Sequence, residues 1–162
     1  DVLMSYKKTH FSGTFPSKIQ TAKGSGSLKD RVEYERFEDG NLVQVKQTAG
    51  SSTAYIWGYD KRYIVAKVEN TNYAAIEALS AFGSGAGFTI TEGLSAAQEI
   101  ALRGMSNALV STYAYDPMIG VISMTDPRGE TIYYQYDSFN RLEFVKDAEG
   151  NILSKNEYNY KN

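Results

Sequence analysis

The stretch at 134–142, Tyr-Gln-Tyr-Asp-Ser-Phe-Asn-Arg-Leu, joins a strand pattern to a turn pattern. Tyr134 and Tyr136 flank a polar residue, which is the alternation of a half-buried β-strand. Asp137 begins a turn, because its carboxylate can accept hydrogen bonds from backbone N–H groups two residues on. Asn140 tolerates the left-handed conformation that such a turn needs. The stretch therefore predicts a strand, a tight turn and a second strand.

The same pattern occurs at a spacing of 21 residues. The positions that recur are Tyr113 and Tyr134, Tyr115 and Tyr136, Asp116 and Asp137, Asp126 and Asp147, and Gly129 and Gly150. A third unit begins at Tyr158 and Tyr160, 24 residues after Tyr134. Each unit has room for two strands of about six residues and two turns. We expect the tyrosines to stack on those of the next unit, and the Asp and Gly residues to form the turns.

Residues 17–69 continue this strand-and-turn pattern in a more degenerate form. Strands are predicted at 17–22, 31–37, 42–47, 53–57 and 63–68. The closing strand of the last unit is predicted at 151–160.

A helical insert is predicted at 70–108, between the two strand-rich regions. Asn72 can cap a helix at 73–82, and a Gly/Ser link follows at 83–87. Ser95 has capping-box spacing to Gln98 and opens a second helix that ends near residue 104. Its predicted apolar stripe consists of Ala97, Ile100, Ala101 and Met105. The chain is thus divided into 1–69, 70–108 and 109–162, as segments of one structural domain.

The recurring motif resembles the RHS/YD-repeat family, whose pattern is Tyr-x-Tyr-Asp-x-x-Gly-Arg-Leu. The stretch 134–142 differs from this pattern at Asn140, where the family has Gly, and matches it at Arg141. Segments 108–162 and 55–63 resemble the repeats of large envelope-associated RHS proteins of Gram-negative bacteria.

This resemblance implies a mainly β fold, an antiparallel meander of hairpins that forms an open curved sheet with a small helical insert. In the family, many repeats spiral into a hollow shell, which encloses a C-terminal toxin in secreted bacterial proteins. The chain would then be a non-catalytic structural segment of a longer bacterial protein, located in the cell envelope or secreted. Its partners would be neighbouring repeats of the parent chain, or a second copy paired at an exposed sheet edge.

Composition excludes several classes of function. The 162 residues contain 17 Lys or Arg and 19 Asp or Glu, a net charge of −2, which does not favour a nucleic-acid partner. The absence of cysteine excludes disulfides, thiolate zinc sites and cysteine nucleophiles. No apolar segment is long enough to insert into a membrane. No cofactor is expected.

A carbohydrate-binding or adhesion module is the alternative function, with Trp57, Tyr55 and Tyr59 as contacts for sugar rings. The regular spacing of the tyrosines favours a structural role instead, because a sugar site is normally a local cluster. The turns at Asp39 and Asp147 resemble calcium loops in composition, but each offers too few oxygen atoms for that ion.

A hydrolase is a third alternative. His10 is the only histidine, and no acidic partner is close to it in the sequence. A triad can assemble from distant residues, but no nucleophile motif is present. RHS shells contain an Asp-Pro-x-Gly-Leu sequence with aspartate-dependent self-cleavage. The stretch at 126–129 has Glu130 in place of that Leu, so it is interpreted as a turn.

Overall fold

One antiparallel sheet of 11 strands forms most of the molecule. The computed structural model describes residues 5–48, 50–83, 85 and 87–159. Each strand pairs with the next one in sequence, from β1 to β11. The strands are β1 (Ser5–Ser12), β2 (Phe15–Lys23), β3 (Lys29–Glu38), β4 (Asn41–Gln47), β5 (Ser52–Gly58), β6 (Tyr63–Glu69), β7 (Leu109–Asp116), β8 (Gly120–Thr125), β9 (Thr131–Tyr136), β10 (Leu142–Lys146) and β11 (Ile152–Lys155). The predicted fold class, a mainly β antiparallel meander with a small helical insert, is confirmed.

The connection between β6 and β7 carries the helices. They are α1 (Tyr73–Glu77) and α2 (Ala96–Arg103), with a short 3-10 turn at Ser80–Phe82 between them. The predicted single helix at 73–82 is wrong, because Leu79 is extended (φ −71°, ψ 130°) and separates α1 from the 3-10 turn. None of the helices in the described ranges is long and apolar enough to cross a membrane.

The predicted caps of both helices are confirmed. The side chain of Asn72 accepts a hydrogen bond from the backbone N–H of Ala75 at 2.8 Å. Ser95 and Gln98 form a capping box, in which each side chain accepts from the backbone N–H of the other residue. These bonds satisfy N–H groups that have no partner inside the helix.

The insert packs on the central strands and encloses the hydrophobic core with them. The core consists of Val43, Ala54, Ile56, Val65, Ala66, Val68, Tyr73, Ile76, Phe82, Ile90, Leu102 and Val110. Strands β4 to β7 supply seven of these residues and the insert supplies five. The sheet alone has two open faces, so the insert provides the second layer that a buried core requires.

The apolar stripe predicted for α2 is wrong in part: Met105 packs against the core, but Ile100 does not. Ile100 is 73% exposed, whereas Leu102 is fully buried. The helix is oriented by its polar residues. The Arg103 guanidinium donates to the carbonyl oxygens of Val110 and Asp126 at 3.2 and 3.0 Å. Because Arg103 and Leu102 face the sheet, Ile100 points away from it.

The insert approaches the sheet closely at Gly58, the last residue of β5. A Cβ atom at Gly58 would lie 2.4 Å from the carbonyl oxygen of Glu92. The next residues, Tyr59 to Lys61, all have positive φ angles. The backbone N–H groups of Tyr59 and Asp60 donate to the carbonyl oxygens of Glu92 and Ile90. The insert therefore stabilises an unusual left-handed turn.

The last predicted strand, at 151–160, is shorter than expected, since β11 ends at Lys155. Beyond it, the Asn156 side chain and the Tyr158 hydroxyl both donate to the carbonyl oxygen of Leu142, at 3.3 and 2.9 Å. Tyr160 lies outside the described residues.

Candidate functional site: an aromatic clamp at one end of the sheet

Three turns of the C-terminal region share one geometry. The backbone N–H of the first aspartate donates to the carbonyl of the residue four positions on, and its Oδ1 accepts from the N–H of that residue. The pairs are Asp126 and Glu130, Asp137 and Arg141, and Asp147 and Asn151. The residue three positions after each aspartate has positive φ: Gly129 at 89°, Asn140 at 58° and Gly150 at 86°. The aspartate closes the turn through its hydrogen bonds, and the residue three positions later adopts the positive φ that the turn requires.

The turn at Asp116 differs from these three. Its Oδ1 accepts from the backbone N–H of Met118 at 2.9 Å, but the third position is Ile119. The positive φ moves to Gly120, at 149°, where β8 begins. The positive φ therefore occurs one position later than in the other three turns, and this turn has a different shape.

Two of the turn aspartates, Asp137 and Asp147, are stabilised in their charged form. The Arg141 side chain, whose guanidinium lies 2.6 Å from the Asp137 carboxylate, holds the pKa of Asp137 below its ordinary value. Backbone N–H groups of Phe139 and Arg141 add to this effect. The Asn151 side chain similarly lowers the pKa of Asp147. Each carboxylate is therefore a structural acceptor within its own turn.

Aromatic side chains connect the units in a way that spacing alone does not predict. Three of them donate a hydrogen bond to a backbone carbonyl on the strand before their own, and Tyr158, which follows β11, donates to a carbonyl of β10. The donor and acceptor pairs are Trp57 to Leu42 (2.9 Å), Tyr115 to Ile64 (3.0 Å), Tyr136 to Val121 (2.7 Å) and Tyr158 to Leu142 (2.9 Å). We call these four pairs the aromatic clamp.

The acceptors of the aromatic clamp lie where the strand ladder is irregular. Each is paired with an aromatic residue at the end of the preceding odd-numbered strand: Leu42 with Phe37, Ile64 with Trp57, Val121 with Tyr115 and Leu142 with Tyr136. The pairing register shifts next to every one of these pairs. A bulge disrupts the ladder locally, so the carbonyl needs another donor, and the next odd strand supplies it. Each unit is thus connected to the following unit by the same kind of hydrogen bond.

One repeat tyrosine, Tyr115, stacks across neighbouring strands on a tyrosine of the preceding unit, but not on the equivalent position of another unit. Tyr115 and Tyr136 are on β7 and β9, two strand spacings or about 9.6 Å apart, which exceeds the range of ring contacts. Tyr115 instead stacks on Tyr63 of β6, with centroids 4.8 Å apart, and meets Tyr59 edge-on at 5.8 Å. Burial raises the pKa of Tyr115.

The other predicted tyrosines have separate environments. Tyr113 and Tyr134 pair across the ladder with Met124 and Val145. The sequence predicts that Tyr158 is the equivalent of Tyr134, at a spacing of 24 residues. Its clamp bond makes it the equivalent of Tyr136, at a spacing of 22. Its ring lies 4.4 Å from the Arg141 guanidinium carbon, which links the last unit to the turn at Asp137.

The three proposed sugar contacts do not form one exposed aromatic surface. Trp57 and Tyr59 pack against the hydrophobic core, and the indole N–H of Trp57 is used in the aromatic clamp. The Tyr59 hydroxyl accepts from the backbone N–H of Tyr115 and donates to its carbonyl, both at 3.0 Å. Tyr55 pairs with Lys67 in the middle of the sheet.

Among the residues that the structure describes, His10 is connected to an acidic residue through another side chain. Its Nε2 lies 2.7 Å from Gln20 Oε1, and Gln20 donates to Asp30 Oδ1 at 2.5 Å. The bond from Gln20 lowers the pKa of Asp30. Within the described ranges, no group of three or more His, Asp or Glu side chains is arranged to hold a metal ion.

The ion pair that attaches the insert was not predicted. Both terminal nitrogens of Arg36 donate to the carboxylate of Glu77, at 2.8 and 2.9 Å, and Glu77 is only 8% exposed. The Arg36 guanidinium lowers the pKa of Glu77. The two residues are 41 positions apart, so no local pattern could have connected them.

Comparisons with known proteins show a likeness of fold. No family model matches the chain, and no curated protein matches it. A crystal structure of TcdB2-TccC3 without its hypervariable C-terminal region matches 93% of this chain, with a TM-score of 0.51 and 9% identity. A Photorhabdus luminescens Tc holotoxin pore with a substitution in TccC3 matches 97% of it, with a TM-score of 0.49 and 10% identity. The chain spans 8% of the length of each matched chain.

Proposed function

We propose that this chain is a wall segment of a larger RHS/YD-repeat protein of bacteria, and that the segment itself catalyses no reaction. The parent protein would be secreted or attached to the cell envelope. The observation that carries this proposal is the aromatic clamp. The same donor and acceptor arrangement recurs on β5, β7 and β9 and again after β11. Such a device extends a sheet unit by unit, which is the physical requirement of a repeat scaffold.

The likeness to the TcdB2-TccC3 structure supports this role. Almost the whole chain matches a small share of a much longer protein. The two outer strands, β1 and β11, each have one unpaired edge in the sheet. Neighbouring units of a parent chain would pair with these edges and remove them as sites of aggregation.

An immunoblot with an antibody raised against this chain tests the proposal. Source cells and their medium are compared with a strain in which the gene is disrupted. We expect a band far above 18.0 kDa, the mass of this chain, that disappears in the disrupted strain. A specific band at 18.0 kDa alone would show that the short chain is the working protein, and the proposal would be wrong.

A further inference from the structure

The net charge of −2 hides a separation of charge along the chain. Residues 1–32 contain six Lys or Arg and two Asp, a charge of +4. Residues 33–162 contain 11 Lys or Arg and 17 Asp or Glu, a charge of −6. The basic part forms β1, β2 and the start of β3, at one edge of the sheet.

Strand register brings four of these cations to one face. Lys7 and Lys29 are both paired with Thr21, so the three side chains project from the same side of the sheet. Lys23 follows Thr21 by two residues in β2 and shares that side. Arg31 Nε donates to Thr21 Oγ1 at 2.7 Å, which fixes its guanidinium there as well. We call Lys7, Lys23, Lys29 and Arg31 the basic face.

The basic face lies on the side of the sheet opposite the insert. The side of Thr21 includes Ile19, which pairs with Val32, and Val32 pairs with Gln47 of β4. The insert packs on the other side, where Gln44 accepts from the backbone N–H of Tyr73 at 2.7 Å. Gln44 and Gln47 are three residues apart in β4, so they point to opposite sides.

The four cations are available to a partner. All are exposed, and none forms an ion pair with an acidic side chain of the described residues. Asp30 is close in sequence, but it is paired with Gln20 of β2 and bonded to Lys18 and Gln20 on the other side. The terminal nitrogens of Arg31 have no hydrogen-bond partner among the described residues, so a fixed guanidinium offers its free donors to an anion.

Three of the cations surround a groove of about 330 Å³. Its lining consists of Thr21, Ala22, Lys23, Gly26, Ser27, Lys29 and Arg31. It holds hydroxyl groups and cations but no aromatic ring on which a nucleic-acid base could stack. A groove also fits a chain better than it fits the flat surface of a bilayer.

The molecule already shows how this sheet binds a polypeptide with an acidic residue. On the insert side of β3, Arg36 holds the Glu77 carboxylate through both terminal nitrogens. Arg31 lies on the same strand and on the opposite side of the sheet, and its terminal nitrogens have no such carboxylate partner among the described residues.

We propose that the basic face binds an acidic polypeptide segment, whose Asp or Glu carboxylates pair with Arg31, Lys29 and Lys23. This interaction does not depend on the proposed scaffold function, since it requires only the cations and the groove on one face of the sheet.

Fluorescence anisotropy of a labelled peptide that alternates Glu and Ser tests the proposal on the full chain at low salt. A peptide of the same length with Gln in place of Glu is the uncharged control. We expect the Glu peptide to bind, and Lys29→Gln and Arg31→Gln each to weaken binding about two- to fivefold. Lys8→Gln is the matched control, because Lys8 pairs with Gln20 and is on the other side of the same strands. It should change binding little.

Three results would overturn the proposal. The first is equal binding of the Glu and Gln peptides. The second is an equal loss in Lys8→Gln and Lys29→Gln. The third is tighter binding, sensitive to Lys29→Gln, of an oligothymidylate or of vesicles containing phosphatidylserine, which would assign the basic face to another class of anion. Urea unfolding of each variant shows whether a loss of binding reflects a loss of folded protein.

Discussion

The hydroxyl oxygen of Tyr136 on β9 lies 2.7 Å from the carbonyl oxygen of Val121 on β8, beside a break in the strand ladder. Val121 is paired with Tyr115 of β7, whose hydroxyl in turn donates to the carbonyl of Ile64 on the adjacent strand β6. A hydrogen bond made by one unit therefore stabilises the irregular end of the unit before it. At this end of the sheet, the tyrosines that recur in the sequence are thus the residues that connect one unit to the next.

The Tyr136 bond can be tested by removing a single oxygen atom. We expect Tyr136→Phe to lower the free energy of unfolding by about 1 kcal/mol, since the Val121 carbonyl loses its donor. Urea unfolding monitored by circular dichroism measures the change. Tyr133→Phe is the control, because Tyr133 is 47% exposed and its hydroxyl has no partner among the described residues. Equal losses in both variants would contradict the role of the aromatic clamp.

The close approach at Gly58 predicts a steric effect. Gly58→Ala places a Cβ atom 2.4 Å from the Glu92 carbonyl oxygen and 2.6 Å from a Val65 methyl group. We expect a loss of about 1–3 kcal/mol in the free energy of unfolding. Gly85→Ala is the control, since nothing lies within 4 Å of its added Cβ. A Gly58→Ala protein as stable as Gly85→Ala would show that the insert does not dock in this way.

The turn at Gly150 predicts a conformational effect without a clash. Its φ is 86°, and no atom lies within 4 Å of an added Cβ. Gly150→Val should cost about 1 kcal/mol or more, because a branched residue is strained at positive φ. Gly85→Val, at a position without that constraint, provides the comparison in thermal unfolding. An unchanged melting midpoint for Gly150→Val would refute the turn assignment.

The ion pair between Arg36 and Glu77 should contribute more than an exposed pair. We expect Glu77→Gln to cost about 2 kcal/mol, because the two charge-assisted hydrogen bonds from Arg36 to a buried carboxylate are lost and Glu38 alone remains as its counter-charge. Glu69→Gln is the matched control: Glu69 lies 3.0 Å from Lys67, and both side chains are more than a third exposed. That change should cost less than about 1 kcal/mol. Limited proteolysis between α1 and α2 should increase only in Glu77→Gln, and equal cleavage of both variants would argue against this attachment of the insert.

The turn aspartates predict a loss of stability in acid. In the folded state the pKa of Asp137 is below its ordinary value of 3.8, so its contribution is fully present above that value. The contribution is lost as the pH falls through the lowered pKa. We expect the free energy of unfolding to decrease between about pH 5 and about pH 2, and to decrease less in Asp137→Asn. Glu92→Gln, at an exposed position, should retain the full dependence. An unaltered pH profile in Asp137→Asn would disprove the contribution of this carboxylate.

Much of the fold could be predicted from local sequence. The predicted strands at 42–47 and 63–68 differ from β4 and β6 by one residue at a single end. The predicted capping box forms between Ser95 and Gln98. These features depend on residues within one turn or one strand, whose backbone preferences act over short distances.

The predictions that differ from the structure concern contacts between residues that are far apart in the sequence. The apolar stripe predicted for α2 is wrong at Ile100, because Arg103 and its carbonyl acceptors orient that helix. Equivalent repeat tyrosines lie two strands apart, because a period of 21 residues spans two strands, so Tyr115 stacks on Tyr63 of the adjacent strand instead. The register of Tyr158 changed because its hydroxyl bonds to Leu142, which is paired with Tyr136.

The sequence by itself determined the alternating strands, the Asp-initiated turns and the interruption by a helical insert. It did so because alternation, side-chain capping and positive φ are properties of a few neighbouring residues. Only the tertiary structure decided which carbonyls the aromatic residues bind, which pair of charges attaches the insert, and which side of the sheet carries the free cations. Those outcomes depend on register and bulges, because a shift of one residue moves every side chain of a strand to the opposite side.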